Sequence, residues 1–204
     1  MKEQKNNTQA YALYTFIDME TDAKCGATPN TYSTSYPNLY TKRKAMNCLI
    51  SYAIKRYFNI DIQEDKPMKY LKNGIGFIEG IYFSLGTCMR ILCVCVSQAP
   101  IGISIQYPYS IYDELEYVNH NFCKNEIEEY QKRKYDNETY FYILGQKHAY
   151  QKKYELLYEE HFKTFDSTQE SYTTHKDKFL SEDFIFIATG NVEFEKIDID
   201  SILS

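Results

Sequence analysis

The segment from Arg90 to Gln106, RILCVCVSQAPIGISIQ, is the densest apolar stretch of the chain and the one that most restricts its fold. Two short runs rich in β-branched residues flank Ser97 to Pro100. Such runs pack well on a pleated surface, and a proline suits a turn better than a strand centre. The segment therefore predicts a β-hairpin. In its second arm Ile101, Ile103 and Ile105 alternate with Gly102, Ser104 and Gln106, so Ser104 and Gln106 share the face opposite the isoleucines. Cys93 and Cys95 share one face of the first arm and read as buried thiols, because free cysteine packs as a small hydrophobe.

The rest of the chain reads around this core. Residues 10 to 18 (AYALYTFID) predict a first strand, and the polar stretch from Thr21 to Pro37 predicts a loop. From Leu39 to Phe58, Ala45, Cys48, Leu49, Tyr52, Ala53 and Tyr57 recur at steps of three and four, the spacing of an amphipathic helix. Residues 124 to 134 and about 138 to 162 predict two more helices, with a break near Asp136 and Asn137 and Asn137 as N-cap. The polar run from 164 to 178 predicts a surface loop, followed by a strand at DFIFIAT and a further one at VEFEKIDI. The order is that of an α+β protein rather than of regular βαβ repeats.

Composition narrows the function classes. A net charge of −5 and a pI near 5.5 argue against a protein that covers long stretches of nucleic-acid phosphate, which requires clustered Lys and Arg. No apolar run approaches a membrane span, and the first residues, MKEQKNNTQA, lack the apolar core of a signal peptide. The six cysteines, Cys25, Cys48, Cys88, Cys93, Cys95 and Cys123, show no CxxC pairing for zinc and are too sparse for a disulfide scaffold. A soluble cytoplasmic protein with reduced thiols is expected. At 204 residues the chain has room for one large domain or two small packed ones.

Several segments, in order, carry a family likeness: the helix at 39 to 58, Lys72-Asn73, YFSLGTC (82 to 88), PIGISIQ (100 to 106), NFCKNE (121 to 126) and LGQKHAYQK (144 to 152). This series resembles the two-lobed 4'-phosphopantetheinyl transferases, whose corresponding elements are a long helix, a Lys-Pro element, FNxSHS, GIDIE, FFSxxE and WxxKEAxxK. The resemblance covers roughly residues 10 to 200 and implies two similar lobes, residues 1–98 and 99–204. Each would be a small antiparallel sheet on a long helix, together forming a pseudodimer that is complete as a monomer.

The family moves the phosphopantetheine arm of coenzyme A onto a serine of an acyl or peptidyl carrier protein. The transfer is an in-line displacement at phosphorus, so catalysis rests on positioning and on charge neutralisation by magnesium. A hard cation takes oxygen ligands, preferably carboxylates. The resemblance puts those ligands at Ser104, Gln106 and His148, where no anionic ligand remains and where an imidazole nitrogen suits magnesium poorly. It further implies a role at the leaving phosphate for Lys152, with His148 beside it as the second catalytic position. Lys147 matches the motif's other lysine. Lys42, Arg43, Lys72 and Thr87 are the implied coenzyme A contacts, although the His of the SHS element is absent from Gly86-Thr87-Cys88 and Lys72 is followed by Asn73. Where the family has a Gly-rich segment after the last helix, YELLYEEH reads as more helix.

For each lysine on the 144 to 152 helix a solvated surface position is the plainer alternative, and the run Lys132, Arg133, Lys134 reads either as solvated charge or as a patch for an acidic carrier. Asp113, Glu114 and Glu116 read as an exposed helix turn rather than as replacement ligands. Three functions remain: a binding protein with transferase ancestry and lost or weak transfer, an active holo-carrier-protein synthase with an altered metal site, or an interaction protein that keeps only the fold.

Overall fold

Ile91–Ser97 forms a strand buried along its whole length. A strand with two apolar faces needs a neighbour on each edge and a layer on each side, and it becomes the centre of the fold. The computed structural model describes residues 9–24, 37–62, 68–71, 74–109, 114–155 and 162–203. In chain order these form β1 (Ala10–Phe16), α1 (Met19–Lys24), α2 (Leu39–Phe58), β2 (Lys69–Tyr70), β3 (Ile75–Ile78), β4 (Ile81–Cys88), β5 (Ile91–Ser97) and β6 (Ile103–Gln106). There follow α3 (Glu114–Asn121), α4 (Lys124–Lys132), α5 (Asn137–Lys153), a 3₁₀ turn (Ser167–Gln169), β7 (Tyr172–Phe179), β8 (Glu182–Thr189), β9 (Val192–Lys196) and α6 (Asp200–Leu203).

The strands make two sheets. The first runs β2-β3-β4-β5-β1-β9, antiparallel except that β9 lies parallel to β1; the second runs β6-β8-β7 and is antiparallel throughout. The chain is thus α+β. Of the two small antiparallel sheets expected, the second answers the description, whereas the first is mixed and has six strands.

Alternation along the strands builds four layers. Leu92, Val94 and Val96 of β5 pack with Leu49, Ile50 and Ala53 of α2. Ile91, Cys93 and Cys95 point the other way, against Ile103 and Ile105 of β6 and Phe184 and Phe186 of β8. Ile185 and Ile187 on the far face of β8 meet Phe141 and Ile143 of α5, with Val118 of α3 and Tyr130 of α4. The order through the molecule is α2, first sheet, second sheet, then α3 to α5. Each fully buried aliphatic side chain contributes about 1.5–3 kcal/mol, so the three apolar seams dominate the stability.

Two glycines allow α5 to lie close on β6. A Cβ at Gly102 would fall 1.8 Å from the Ala149 carbonyl oxygen, and one at Gly145 would fall 2.3 Å from Ile187 Cδ1 and 3.0 Å from Gln106 Cγ. At Gly102 the obstacle is backbone and excludes a side chain, whereas at Gly145 the ends of the Ile187 and Gln106 side chains would have to shift; this contact brings the 144 to 152 helix against the strand carrying Ser104 and Gln106.

Several sequence expectations give way to longer-range packing. Residues 90 to 106 are not a hairpin: β5 pairs with β4 and β1, while β6 pairs with β8, so Gln98 to Gly102 carry the chain from one sheet to the other. The stretch read as a loop from Thr21 begins inside a short helix, Met19–Lys24, capped by Asp18, whose Oδ1 accepts from Thr21 N at 2.7 Å; residues 25–36 lie outside the described residues. The polar run from 164 to 178 contains β7, an edge strand whose Thr174, Lys176 and Lys178 face solvent while Phe179 is buried. The cap of α5 is Asp136, whose Oδ2 accepts from Thr139 N at 2.9 Å, rather than Asn137. That helix ends at Lys153, followed by a turn with Glu155 at a positive φ of 54°, instead of running on through YELLYEEH; residues 156–161 lie outside the described residues. Among the described residues no helix is long and apolar enough to cross a membrane.

Candidate functional site

The face of β6 turned toward α5 carries Ser104 and Gln106, as strand alternation requires, and the face of α5 turned toward β6 carries His148 and Lys152, one helical turn apart. Gln106 Nε2 donates to Ser104 Oγ at 2.6 Å and lies 3.2 Å from His148 Nδ1. With the amide donating, Nδ1 accepts and the imidazole proton resides on Nε2. Burial, and then the neighbouring Lys152 charge, hold the His148 pKa down at about 4, so the ring is neutral at physiological pH.

Lys152 reaches between the sheets. Its Nζ donates to the Leu85 carbonyl of β4 at 2.6 Å and to the Ile103 carbonyl of β6 at 2.8 Å. Burial lowers its pKa to about 8. Thr87, Ser104, Ile105, Gln106, His148, Gln151 and Lys152 line a cavity of about 410 Å³. On its rim Lys42 Nζ of α2 donates to Thr87 Oγ1 at 3.3 Å, and burial lowers the pKa of Lys42 as well.

Positions far apart in the chain are therefore brought together: Ser104, Gln106, His148, Lys152 and Thr87 line one cavity, with Lys42 adjoining. Arg43 is exposed on α2 and is not among the lining residues. Lys72 and Asn73 lie outside the described residues. Gln151, buried on the same helix face, belongs to the cavity and was missed by motif matching; its signal was its place three residues after His148.

Lys147 is elsewhere, and the surface reading of this residue is wrong. It is fully buried and donates to both Glu126 oxygens, at 2.9 and 2.6 Å, and to the Phe165 carbonyl at 3.1 Å. Its ammonium lies 4.4 Å from the Phe165 ring centroid and 5.3 Å from that of Phe162. Glu126 Oε1 also accepts from Ser167 N at 2.9 Å and Ser167 Oγ at 2.6 Å, and Oε2 from Cys123 N at 2.8 Å. Helix α4, helix α5 and the turn at 162 to 169 are pinned together at this point.

Neither cluster suits a metal ion. The described lining of the cavity has no carboxylate, presents its imidazole nitrogen to an amide, and already holds an ammonium; magnesium does not fit it. Cys123, Glu126 and Asp166 place ligand atoms within 4.8 Å of one another, but Lys147 occupies both Glu126 oxygens, and Asp166 accepts from Thr168 and Asn125. Of the carboxylates after β6, Glu116 is exposed on α3 and Asp113 lies outside the described residues. The run Lys132 to Lys134 is exposed, and Lys132 and Arg133 line a polar groove of about 610 Å³ that also holds Glu128, Glu129, Glu138 and Glu170, so the groove is not basic overall.

No family model matches the chain, and no curated protein matches it.

Proposed function

We propose that the chain is a non-transferring relative of the 4'-phosphopantetheinyl transferases, built as two lobes (1–98 and 99–204) and sufficient as a cytoplasmic monomer. In this reading the cleft between its sheets binds coenzyme A or the coenzyme A-derived arm of a carrier protein. One observation carries the proposal. The residues at the three family ligand positions come from two elements, Ser104 and Gln106 from β6 and His148 from α5, and line a single cavity together with Lys152. The Glu126–Lys147 pair adds support, because it joins NFCKNE to LGQKHAYQK, two further segments that carry the resemblance.

The arrangement favours binding over turnover. Transfer at phosphorus needs the charge on the pyrophosphate neutralised as the bond breaks, and a metal coordinated by carboxylates is the usual means. Here the cavity offers two hydroxyls, two amides, a neutral imidazole and one ammonium. Lys152 can hold a phosphate oxygen, and Thr87 with Lys42 can hold a second anionic group at the rim, but no group compensates charge that develops during displacement. The test is calorimetry of coenzyme A with and without magnesium, followed by a mass-shift assay on a panel of apo carrier proteins. Binding that is indifferent to magnesium, with no phosphopantetheine added to any carrier, is expected. Turnover abolished by Lys152→Ala in a folded protein would refute the reading.

A further inference from the structure

We infer that the groove between α4 and α5 binds an extended peptide segment that carries a basic side chain, held through its main chain by the Gln146 amide. The groove has a volume of about 610 Å³ and shares no lining residue with the cavity between β6 and α5.

The helical period builds this groove. Thr139, Tyr142, Ile143 and Gln146 of α5 recur at the spacing of one helix face, and Asn125, Glu128, Glu129 and Lys132 of α4 repeat that spacing. Next to Asn125 and Gln146 in the chain stand Glu126 and Lys147, whose buried pair ties the two helices together. The groove is therefore formed before any ligand arrives.

Gln146 points to the ligand. It is 9% exposed, yet no group among the described residues hydrogen-bonds its side-chain amide. A buried polar group without a partner lowers stability, and few are kept in folded proteins. The described side-chain atoms that are both sealed from solvent and unpartnered belong to Thr41, Asn137 and Tyr172, so the Gln146 amide opens into the groove that it lines. A primary amide offers a donor and an acceptor side by side. In an extended chain the N–H and C=O of one residue point to the same side, as in a hydrogen-bonded pair of an antiparallel ladder, and so match that amide. A helical partner spends the same groups on itself.

Charge selects the side chain. The lining holds Glu128, Glu129, Glu138 and Glu170 against Lys132 and Arg133. Glu129 is paired with Arg133 at 3.3 Å, Glu170 with Lys153 at 2.6 Å, and Glu138 with Lys176. Glu128 is held most loosely, 3.9 Å from a largely exposed Lys124. Lys132 takes no carboxylate among the described residues, and the lining stays acidic overall. A Lys or Arg of the ligand is attracted to Glu128, whereas nucleotide phosphates and acidic segments are repelled.

The test is a nuclear magnetic resonance titration of the isotope-labelled full chain with the capped peptide acetyl-Ala-Ala-Lys-Ala-Ala-amide. Saturable shifts are expected at the Gln146 side-chain amide and along the facing turns of α4 and α5. The same peptide with glutamate in place of lysine should bind at least about threefold more weakly. Gln146→Met keeps the bulk and removes the amide, so it should weaken the lysine peptide at least about fivefold. Its melting temperature should equal or exceed that of the natural protein, because no internal hydrogen bond is lost. Glu128→Gln, at an exposed position, should bring the two peptides toward equal affinity. Adenosine monophosphate, titrated alongside, should leave the groove unshifted. The inference is overturned by peptide binding that survives Gln146→Met, by equal binding of the two peptides to the natural protein, or by shifts from the nucleotide and none from the peptide. Melting of Gln146→Met several degrees below the natural protein overturns it too, since the amide would then serve the fold.

Discussion

Lys147 Nζ lies 2.6 Å from Glu126 Oε2, and both side chains are entirely removed from solvent. A buried pair of this kind is costly to break from one side, because the surviving charge has no water and no partner. Lys147→Met or Glu126→Gln alone should destabilise the protein by about 3–5 kcal/mol, measured by urea unfolding. The joint replacement Lys147→Met with Glu126→Leu should cost markedly less than either. Single substitutions that cost under about 1 kcal/mol would show that the pair does not pin α4 to α5.

The cavity should respond to pH through Lys152. Burial sets its pKa at about 8 in the free protein. A bound anion favours the ammonium and raises that pKa, so affinity is full below about pH 8 and falls above it, by at most tenfold per pH unit. The other groups facing Nζ leave this window alone. His148 of α5 has already lost its proton well below it, burial keeps Cys93 of β5 a thiol, and the Leu85 and Ile103 carbonyls do not titrate. Lys42, at the rim beside Thr87, is lowered by burial and reinforces the same direction. Coenzyme A itself gains negative charge over the range, so a loss of binding must come from the protein. A flat profile from about pH 7 to about pH 9.5 would contradict the role given to Lys152.

Carboxylates restored at the three ligand positions should create a metal site and expose its cost. Ser104 and Gln106 are 4% and 8% exposed, so the triple variant Ser104→Asp, Gln106→Glu, His148→Glu buries uncompensated charge when no cation is present. It should melt below the natural protein in EDTA and regain several degrees in millimolar magnesium, whereas the natural protein should show no magnesium-dependent shift. Equal behaviour of the two proteins would mean that the three positions do not converge as described.

The approach of α5 to β6 makes Gly102 intolerant of a side chain. Alanine at 102 would meet the Ala149 carbonyl oxygen, which is backbone and cannot rotate away. Gly102→Ala should destabilise by about 1–3 kcal/mol or more and should also loosen the cavity, seen as weaker coenzyme A binding. Stability within about 0.5 kcal/mol of the natural protein would show that the helix rides further from the strand.

What the sequence made legible were the features with short periods. The three-and-four spacing in 39 to 58 marked α2, and the alternation from Ile101 to Gln106 put Ser104 and Gln106 on one face, where the structure has them facing α5. What depended on distant partners was not legible. Nothing local in RILCVCVSQAPIGISIQ says that its two arms enter different sheets, because an apolar arm pairs equally well with a sequence neighbour or a remote strand. Strand β7 hid in a polar run because an edge strand needs only one partly buried face, and its alternation is carried by Thr, His and Lys. Lys147 reads as surface in any helical pattern, and its partner Glu126 is a full element away on α4.

The measurement that bears most directly on the central claim is intact-protein mass spectrometry of apo carrier proteins incubated with this chain, coenzyme A and magnesium, paired with calorimetry of coenzyme A in EDTA. Coenzyme A should bind in EDTA, Lys152→Met should lose that binding, and the carriers should remain entirely unmodified. A carrier that gains the phosphopantetheine mass only when magnesium is present would contradict it.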